Sequence, residues 1–113
     1  ALGGVSDDFF AWTAPPATVA VVGGGYIAVE LAGVLQALGS RVTLRVRGPR
    51  LLEGFDPDIT AQLAEDYRHA GVDLQFDTPT LALDGVHGAV RCQGAGGLWS
   101  EPFDQVLFAT GRR

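Results

Sequence analysis

Three consecutive glycines near the start of the chain are spaced for contact with a phosphate group. Residues 23–28, Gly-Gly-Gly-Tyr-Ile-Ala, match the pattern Gly-x-Gly-x-x-Ala. In this pattern Gly23 permits a sharp turn and Gly25 lets the backbone approach a pyrophosphate, while the following helix offers free N–H groups and a partial positive charge. The turn therefore predicts binding of a dinucleotide. The alternative is a glycine turn required only for close packing of a strand on a helix.

Two arginines follow the second predicted strand, at the place where the type of nucleotide is selected. About 20 residues after the glycine turn, an acidic residue would bond the ribose of NAD or FAD, whereas arginine would pair with the 2′-phosphate of NADP. The chain has Arg47 and Arg50 here and no carboxylate at the strand end. A planar guanidinium suits a phosphate. The pattern favours NADP; the alternative is that both arginines are solvated surface charges.

The glycine turn lies between a strand and a helix in the predicted secondary structure. Thr18–Val22 is short, rich in β-branched residues and free of polar alternation, which is typical of a strand buried on both faces of a parallel sheet. A helical spacing of three and four follows and ends at Gly39, a natural terminator. The residues expected to form the buried stripe of this helix are Ile27, Leu31, Val34, Leu35 and Leu38.

Two further strands and one helix continue the alternation. The second strand is predicted at Arg41–Val46 and the third at Val72–Phe76. Between them, Asp56-Pro57 is a good helix start and Gly71 ends the helix. Its buried stripe is expected to consist of Ile59, Leu63 and Tyr67. The order β-α-β-α-β predicts a parallel sheet with helices packed on it.

The second half of the chain predicts short antiparallel strands. They are Leu81–Leu83, Val86–Cys92 and Leu98–Ser100, separated by turns at Asp84-Gly85 and Gly94–Gly97. Val106–Ala109 is again wholly apolar and is expected to return to the central sheet. The predicted fold class is therefore α/β: a Rossmann-like parallel sheet with two helices, in which a small antiparallel β-meander replaces the third crossover helix.

Composition disfavours several classes of function. The net charge of −5 argues against nucleic acid as a partner, because phosphate backbones need a basic surface. No apolar run approaches the roughly 20 residues of a membrane span, so a cytoplasmic protein is expected. The absence of lysine excludes a P-loop. Cys92, the only cysteine, is expected to pack as a small hydrophobe, and His69 and His87 have no third residue that would complete a metal site.

Residues 23–33, Gly-Gly-Gly-Tyr-Ile-Ala-Val-Glu-Leu-Ala-Gly, resemble the NADPH-binding segment of the pyridine-nucleotide–disulfide oxidoreductases, and among these of the glutathione reductases. Three other stretches are similar to the family in order and spacing: Ser6–Phe10, Gly54–Asp56 and Ala109–Arg112. The resemblance covers nearly the whole chain. It implies the central NADPH domain of a flavoprotein that passes hydride from NADPH to FAD and electrons onward to a disulfide.

The resemblance also implies domains that this chain does not contain. Residues 1–17 would be a connector from a missing FAD domain, and residues 18–113 would be the NAD(P)H-binding domain. An FAD domain and a dimerisation domain of the same polypeptide would complete a homodimeric enzyme. The chain alone would then bind NADPH, hold no catalytic residue and be inactive. The absence of methionine agrees with an excised domain.

The same resemblance assigns roles to side chains near the glycine turn. Tyr26 is similar to the residue that covers the flavin ring and moves aside for nicotinamide. Glu30 is similar to the carboxylate that meets a flavin-side lysine and the nicotinamide carboxamide. From the residues alone, Tyr26 would be interpreted as an ordinary packed aromatic residue and Glu30 as a solvated carboxylate. Gly111 falls where the family's backbone borders nicotinamide. The full set of expected nucleotide contacts is Gly23, Gly24, Gly25, Tyr26, Ile27, Ala28, Glu30, Arg47, Arg50 and Gly111.

One residue departs from the family pattern. Arg47 matches the family's first phosphate-binding arginine, and Val46 stands where NAD-preferring relatives carry an acid. The second arginine of the family, however, is Glu53 here. Three interpretations stay open: Arg50 takes the place of the second arginine, Glu53 turns to solvent, or the preference for NADP is weaker than in the family.

Alternative functions also stay open. One is the NAD(P)H domain of another flavin disulfide reductase, either similar to dihydrolipoamide dehydrogenase or acting on a different thiol disulfide. Another is a stand-alone Rossmann module that senses nucleotide occupancy. A third, an FAD-binding Rossmann half, is disfavoured by the missing acid at the strand end.

Overall fold

A parallel β-sheet forms the centre of the molecule. The structure, a computed structural model, describes residues 4–5, 16–86 and 89–109. The strands in these ranges are β1 (Gly4–Val5), β2 (Thr18–Val22), β3 (Arg41–Arg45), β4 (Asp73–Gln75), β5 (Ala82–Val86), β6 (Ala89–Gln93) and β7 (Gln105–Phe108). The central sheet has the order β1-β7-β2-β3-β4, and every neighbouring pair is parallel. Because β2 has β3 on one side and β7 on the other, the direction of strand order reverses at β2, as in Rossmann folds.

Two helices cover one face of this sheet. Helix α1 (Tyr26–Ala37) connects β2 to β3, and helix α2 (Pro57–His69) connects β3 to β4. The carboxylate of Asp56 caps α2 by accepting a hydrogen bond from the N–H of Asp58 at 2.9 Å. The helices also contact each other, since the Tyr67 hydroxyl donates to the carbonyl of Val29 at 2.7 Å. Burial, followed by the negative charge of Glu30, raises the pKa of Tyr67.

The buried stripe predicted for each helix is partly wrong. Ile27, Val34 and Leu38 are 50%, 43% and 53% exposed, and Ile59 of α2 is 66% exposed. The side of α1 that meets the sheet instead consists of Ala28, Val29, Ala32 and Leu35. At the glycine turn this side is tightly packed, because the Ala28 Cβ lies 3.1 Å from the position of a Cβ on Gly23. Apolar residues occur on two sides of α1, so spacing alone could not identify the buried one.

A small antiparallel layer covers part of the other face. Strands β5 and β6 pair, and a short 3₁₀ turn at Ala95–Gly97 leads back along β6. The return is fixed by two backbone bonds between Val90 and Phe103, at 2.7 and 2.8 Å. Val90, Cys92 and Phe103 pack on the sheet residues Ala20, Val22 and Val106. Burial raises the pKa of the Cys92 thiol, and the expected packing of Cys92 as a small hydrophobe is confirmed by its complete burial.

The predicted turn at Asp84-Gly85 is wrong, because both residues lie inside β5. Asp84 is opposite Arg91 and Gly85 is opposite Val90. The Asp84 carboxylate also accepts an ion-paired hydrogen bond from Arg91 at 2.7 Å. The cross-strand ion pair and the inward alternation of Val90 and Cys92 fix this register. The Leu98–Ser100 segment is not a full strand either, but it pairs with β6 through Trp99 and Gln93.

The predicted fold class is confirmed despite these local shifts. The molecule is a Rossmann-like α/β domain in which an antiparallel layer stands in place of the third crossover helix. The stretch predicted as a connector contributes β1, which pairs with β7 at one edge. The lead-in Ser6–Phe10 and the segment with Gly111 lie outside the described residues.

Candidate nucleotide-binding cleft

The glycine turn brings three strand ends close together. Gly23 has a φ of 147°, and its N–H donates to the carbonyl of Arg45 at 3.0 Å. A Cβ atom on Gly23 would overlap the carbonyl oxygen of Ala109 and lie 2.9 Å from its carbon. On Gly24 a Cβ would lie 2.8 Å from a methyl group of Val46. Both positions therefore require glycine so that β2, β3 and the end of β7 can approach one another.

Gly25 differs from its two neighbours because it faces open space. It is the N-cap residue of α1, with a φ of −87°, and nothing lies within 4 Å of a Cβ built on it. The cap has no side chain to accept the first N–H groups of the helix, and the first turn carries no acidic residue. Free N–H groups and the positive end of the helix dipole therefore meet at a vacant surface, which suits the pyrophosphate of a dinucleotide.

A cleft of about 690 Å³ opens in front of this turn. It lies at the carboxyl ends of β2, β3 and β4, where Rossmann-like sheets hold their ligands. Its volume is in the range of small-molecule and cofactor sites. The cleft is lined by Val22, Gly23, Gly24, Gly25, Tyr26, Val46, Arg47, Gly48, Arg50, Leu52, Glu53, Phe55, Thr78, Pro79, Thr80, Leu81 and Phe108.

Positive charge lies at one side of the cleft. Arg47 and Arg50 are both exposed and line it. Among the described residues, no carboxylate lies within 4.0 Å of either guanidinium. Val46, at the end of the second strand, is 2% exposed and carries no charge. Both cations are therefore available to an anion from solution.

Glu53 lines the same cleft as the two arginines. Its carboxylate lies beside Gly48, where each oxygen would be 3.4 Å from a Cβ atom on that glycine. Glu53 is exposed and forms no ion pair with a described cation. A negative charge therefore stands in the wall of the cleft without neutralising Arg47 or Arg50.

The loop that carries the arginines is attached to the glycine turn through Leu52. The N–H of Leu52 donates to the carbonyl of Gly24 at 2.7 Å. To make this bond Leu52 adopts a φ of 51°, a left-handed conformation that costs a non-glycine residue roughly 1–2 kcal/mol. Leu51, next to it, is fully buried and anchors the loop in the core. Sequence reasoning missed this attachment; the only signal was an apolar pair within a polar loop.

Residues 78–81 form the wall after β4, and sequence reasoning missed it as well. The N–H of Thr78 donates to the carbonyl of Val46 at 2.8 Å, and that of Asp77 to the carbonyl of Gly48 at 2.9 Å. The wall is thereby joined to the segment that carries Arg47. The rule that ligands bind outside the carboxyl ends of parallel strands could have indicated it.

The structure brings together six of the predicted contact residues: Gly23, Gly24, Gly25, Tyr26, Arg47 and Arg50 line the cleft. Of the other predicted contacts, Ile27, Ala28 and Glu30 do not line it. Ala28 is fully buried against the glycine turn, while Ile27 and Glu30 lie exposed on α1. Tyr26 is 63% exposed at the start of the helix. Gly111 lies outside the described residues.

Residues 4–5, 16–86 and 89–109 contain neither a metal-binding cluster nor a membrane-spanning helix. No group of three or more His, Cys, Asp or Glu side chains that could hold a metal ion occurs within these ranges. Within the same ranges, no helix has the length and apolar character needed to cross a bilayer.

The strand order, the glycine turn at β2 and the cleft at the carboxyl edge define a Rossmann-like α/β domain. Residues 18–93 match the sequence family described as pyridine nucleotide-disulphide oxidoreductase. The chain belongs to this family, which confirms the resemblance inferred from residues 23–33.

Curated relatives agree with this assignment. The chain is 37% identical over 107 residues to a glutathione reductase of Burkholderia cepacia, and 34% identical over 109 residues to one of Nostoc sp. strain PCC 7120. Each alignment covers 95% of this chain and 24% of the relative. The chain therefore spans about a quarter of the length of these proteins.

Solved structures share the fold. The flavoprotein disulfide reductase RclA of Escherichia coli, as the Cu(II) complex of a mutant form, superposes with a TM-score of 0.85 at 24% identity, over 99% of this chain and 27% of that one. An engineered water-forming NADPH oxidase bound to NADPH superposes with a TM-score of 0.78 at 28% identity, over 85% of this chain and 21% of that one.

Proposed function

We propose that this chain is the NADPH-binding domain of an FAD-dependent disulfide reductase, most similar to glutathione-disulfide reductase. One observation carries the proposal. The guanidinium groups of Arg47 and Arg50 pair with no carboxylate of the described residues, and the strand end beside them, at Val46, is uncharged. An NAD site would place a carboxylate at that strand end, whereas a 2′-phosphate requires cations and no acid. In the full protein, bound NADPH supplies a hydride to the flavin.

The engineered NADPH oxidase supports this assignment by the spacing of its substitutions. They replace a glycine by alanine, an aspartate 18 positions later by alanine, the residues 19 and 25 positions later by arginine, and a methionine 20 positions later by serine. In this chain, the residues 18 and 19 positions after Ala28 are Val46 and Arg47. The residues 20 and 25 positions after Ala28 are Gly48 and Glu53. The chain thus has an alanine, an uncharged residue and an arginine at three of these five places and differs at the other two.

The residues present fit the parts of the dinucleotide in order along the cleft. Gly25 and the free N–H groups of α1 would hold the pyrophosphate, and Arg47 with Arg50 would hold the 2′-phosphate. Tyr26, exposed beside the glycine turn, would lie on the nicotinamide side, with Glu30 and Gly111 as further contacts once a flavin domain is present. The places of the pyrophosphate and the 2′-phosphate follow from the helix N-terminus and the next strand end. Those of Tyr26, Glu30 and Gly111 are what the family resemblance implies.

The rest of the enzyme is part of the same proposal. An FAD domain and a dimerisation domain of the same polypeptide would supply the flavin, the redox-active disulfide and the second subunit of a homodimer in the cytoplasm. Residues 1–17 would connect to the FAD domain, and residues 18–113 would form the nucleotide domain. The isolated chain is then expected to bind NADPH and to catalyse no disulfide reduction.

Calorimetric titration of the chain with three nucleotides tests the proposal. We expect 2′,5′-ADP to bind at least about tenfold more tightly than 5′-AMP, because charge-assisted bonds to the 2′-phosphate add at least about 1.4 kcal/mol. The matched control is 3′,5′-ADP, which has the same charge with its phosphate on the neighbouring carbon. Equal affinities for the two ADP isomers would contradict a 2′-phosphate site.

Replacing Glu53 with arginine is expected to strengthen 2′,5′-ADP binding by about three- to tenfold and to leave 5′-AMP binding unchanged. The physical reason is the exchange of a repulsive charge in the cleft wall for an attractive one. Glu53→Gln, titrated with the same ligands, removes the repulsive charge without adding a cation, so it separates these two contributions to the affinity. Glu65→Arg on the exposed side of α2 changes net charge equally outside the cleft. If Glu53→Arg behaves like Glu65→Arg, Glu53 does not face the phosphate.

A further inference from the structure

Arg45 is a buried cation that the proposed nucleotide contacts do not include. It is the last residue of β3 and is 4% exposed. It pairs with Val22 on β2 and Gln75 on β4. Together with Cys92 and Phe103, it lines a cavity of about 400 Å³ on the face opposite the helices. Its position in the middle of a sheet is one where an apolar residue is the usual choice.

The charge of Arg45 has no ionic partner among the described residues, since no carboxylate there lies within 4.0 Å of it. Burying a charge without a partner is unfavourable, and well-packed apolar residues in place of buried ionic groups are often neutral or stabilising. The guanidinium is therefore not expected to stabilise the fold through an ion pair. Its hydrogen bonds indicate what it does instead.

Both hydrogen bonds of Arg45 end on the wall of the cleft. Its Nε donates to Thr80 Oγ1 at 2.9 Å, and its Nη2 donates to the carbonyl of Pro79 at 3.2 Å. Pro79 and Thr80 line the cleft, whereas Arg45 itself does not. The guanidinium thus acts on the cleft from behind, through two residues that face it.

The wall needs such support because it contains no regular secondary structure. Residues 78–81 belong to no helix or strand, and Pro79 has no N–H to donate. Backbone bonds hold only its two ends: Thr78 bonds to the Val46 carbonyl at 2.8 Å, and Leu81 bonds to the Gln93 carbonyl at 2.7 Å. The middle of the wall is held by Arg45.

We propose that Arg45 is a positioning residue that fixes residues 79 and 80 against the adenosine half of the bound nucleotide. The adenosine half is assigned because the wall is bonded to Val46 and Gly48, on either side of Arg47. Without the guanidinium, the wall must be ordered at the moment of binding, and that ordering weakens affinity. The inference rests on the proposed function and goes beyond it, since it concerns a residue outside the cleft.

The experiment compares Arg45→Met with the unchanged chain in titrations with 2′,5′-ADP and 5′-AMP and in thermal unfolding. We expect both ligands to bind at least about threefold more weakly, because two hydrogen bonds from a charged donor are lost. The ratio of the two affinities should not change, because the 2′-phosphate contacts are intact. The unfolding midpoint should stay the same or rise.

These readouts separate the two proposals. The affinity ratio of the unchanged chain tests the 2′-phosphate site, whereas a parallel loss for both ligands in Arg45→Met tests the positioning role. Unchanged affinities in Arg45→Met overturn the inference. So does a loss of affinity that comes with a lowered unfolding midpoint, because it shows only a structural role.

Three further variants complete the test. Arg41→Met removes an exposed arginine at the opposite end of β3 and should change neither affinity. Arg45→Lys can keep one of the two bonds and should restore part of the affinity. Thr80→Val removes one acceptor and should reproduce part of the loss, less than additively with Arg45→Met; full additivity overturns action through Thr80. If Arg45→Met does not fold, Thr80→Val provides the test. Unchanged affinities of Thr80→Val for 2′,5′-ADP and 5′-AMP would then overturn the inference.

Discussion

A chain in which Arg47 and Arg50 are both replaced by alanine should bind 2′,5′-ADP no more tightly than 5′-AMP. Each guanidinium that donates to a phosphate contributes about 1.5 kcal/mol or more, so the loss for 2′,5′-ADP is on the order of 100-fold. Binding of 5′-AMP should be almost unaffected, because its phosphate belongs at the glycine turn. Titrations with both ligands at one fixed ionic strength measure the effect, since salt screens exposed charges.

The matched control for this double variant replaces Arg41 and Arg68, which are exposed and lie outside the cleft. It removes the same net charge and should keep the preference for the 2′-phosphate. The single variants apportion the effect: if Arg50 takes the role of the family's second arginine, Arg50→Ala alone should lower the affinity for 2′,5′-ADP by about tenfold. Retention of the full preference by the double variant would contradict the assignment of both arginines.

The part of the cleft nearest the glycine turn was predictable because its signals are local. A β-branched run, three glycines and a helical spacing occur within residues 18–39, and each element depends on its neighbours in sequence. The positive φ of Gly23 follows from the sharp turn that the motif requires. The strand end with Arg47 was also predictable, since one helix separates it from the turn.

The far wall was not predictable in the same way because its contacts are distant in sequence. Residues 78–81 line the same cleft as the arginines only after β4 pairs with β3. In the sequence Arg45 is one more residue of an alternating strand, and its bonds to Pro79 and Thr80 span 34 and 35 positions. Such contacts depend on how the sheet and the antiparallel layer come together. No pattern within a short window encodes them.

Part of each helix stripe was predicted wrongly for a related reason. The predicted Leu35 is fully buried, but Ile27, Val34 and Leu38 of α1 are exposed, and the small residues Ala28 and Ala32 are buried in their place. Hydrophobicity measures how much a side chain gains from burial, whereas the available space limits which side chain can be buried. At the start of α1 this space is small, because the Ala28 Cβ lies 3.1 Å from the position of a Cβ on Gly23.

Substitution of Gly23 by alanine should destabilise the fold strongly, whereas the same change at Gly25 should not. At Gly23 the φ of 147° is strained for alanine, and the new Cβ would meet the backbone carbonyl of Ala109, which no rotamer change can move. Strain and overpacking together should lower the free energy of unfolding by about 3 kcal/mol or more. Urea denaturation monitored by circular dichroism measures this.

Gly25→Ala is the matched variant because it adds the same methyl group two residues along the same turn. Gly25 has a φ of −87° and open space around its Cβ position, so alanine fits without strain. The entropy that alanine removes from the unfolded chain is offset because alanine is a poorer N-cap residue than glycine, so stability should change by less than about 1 kcal/mol. That open space is where the pyrophosphate is proposed to lie. The variant should therefore fold normally and yet bind NADPH about tenfold or more weakly.

The two variants test the different roles that the motif gives to Gly23 and Gly25. Gly23 lets β2, β3 and the end of β7 meet, so its loss should affect folding whether or not nucleotide is present. Gly25 keeps a surface clear for a ligand, so its loss should appear only in titration. If Gly25→Ala binds NADPH as tightly as the unchanged chain, the pyrophosphate does not lie against this turn, and the glycines serve strand–helix packing alone.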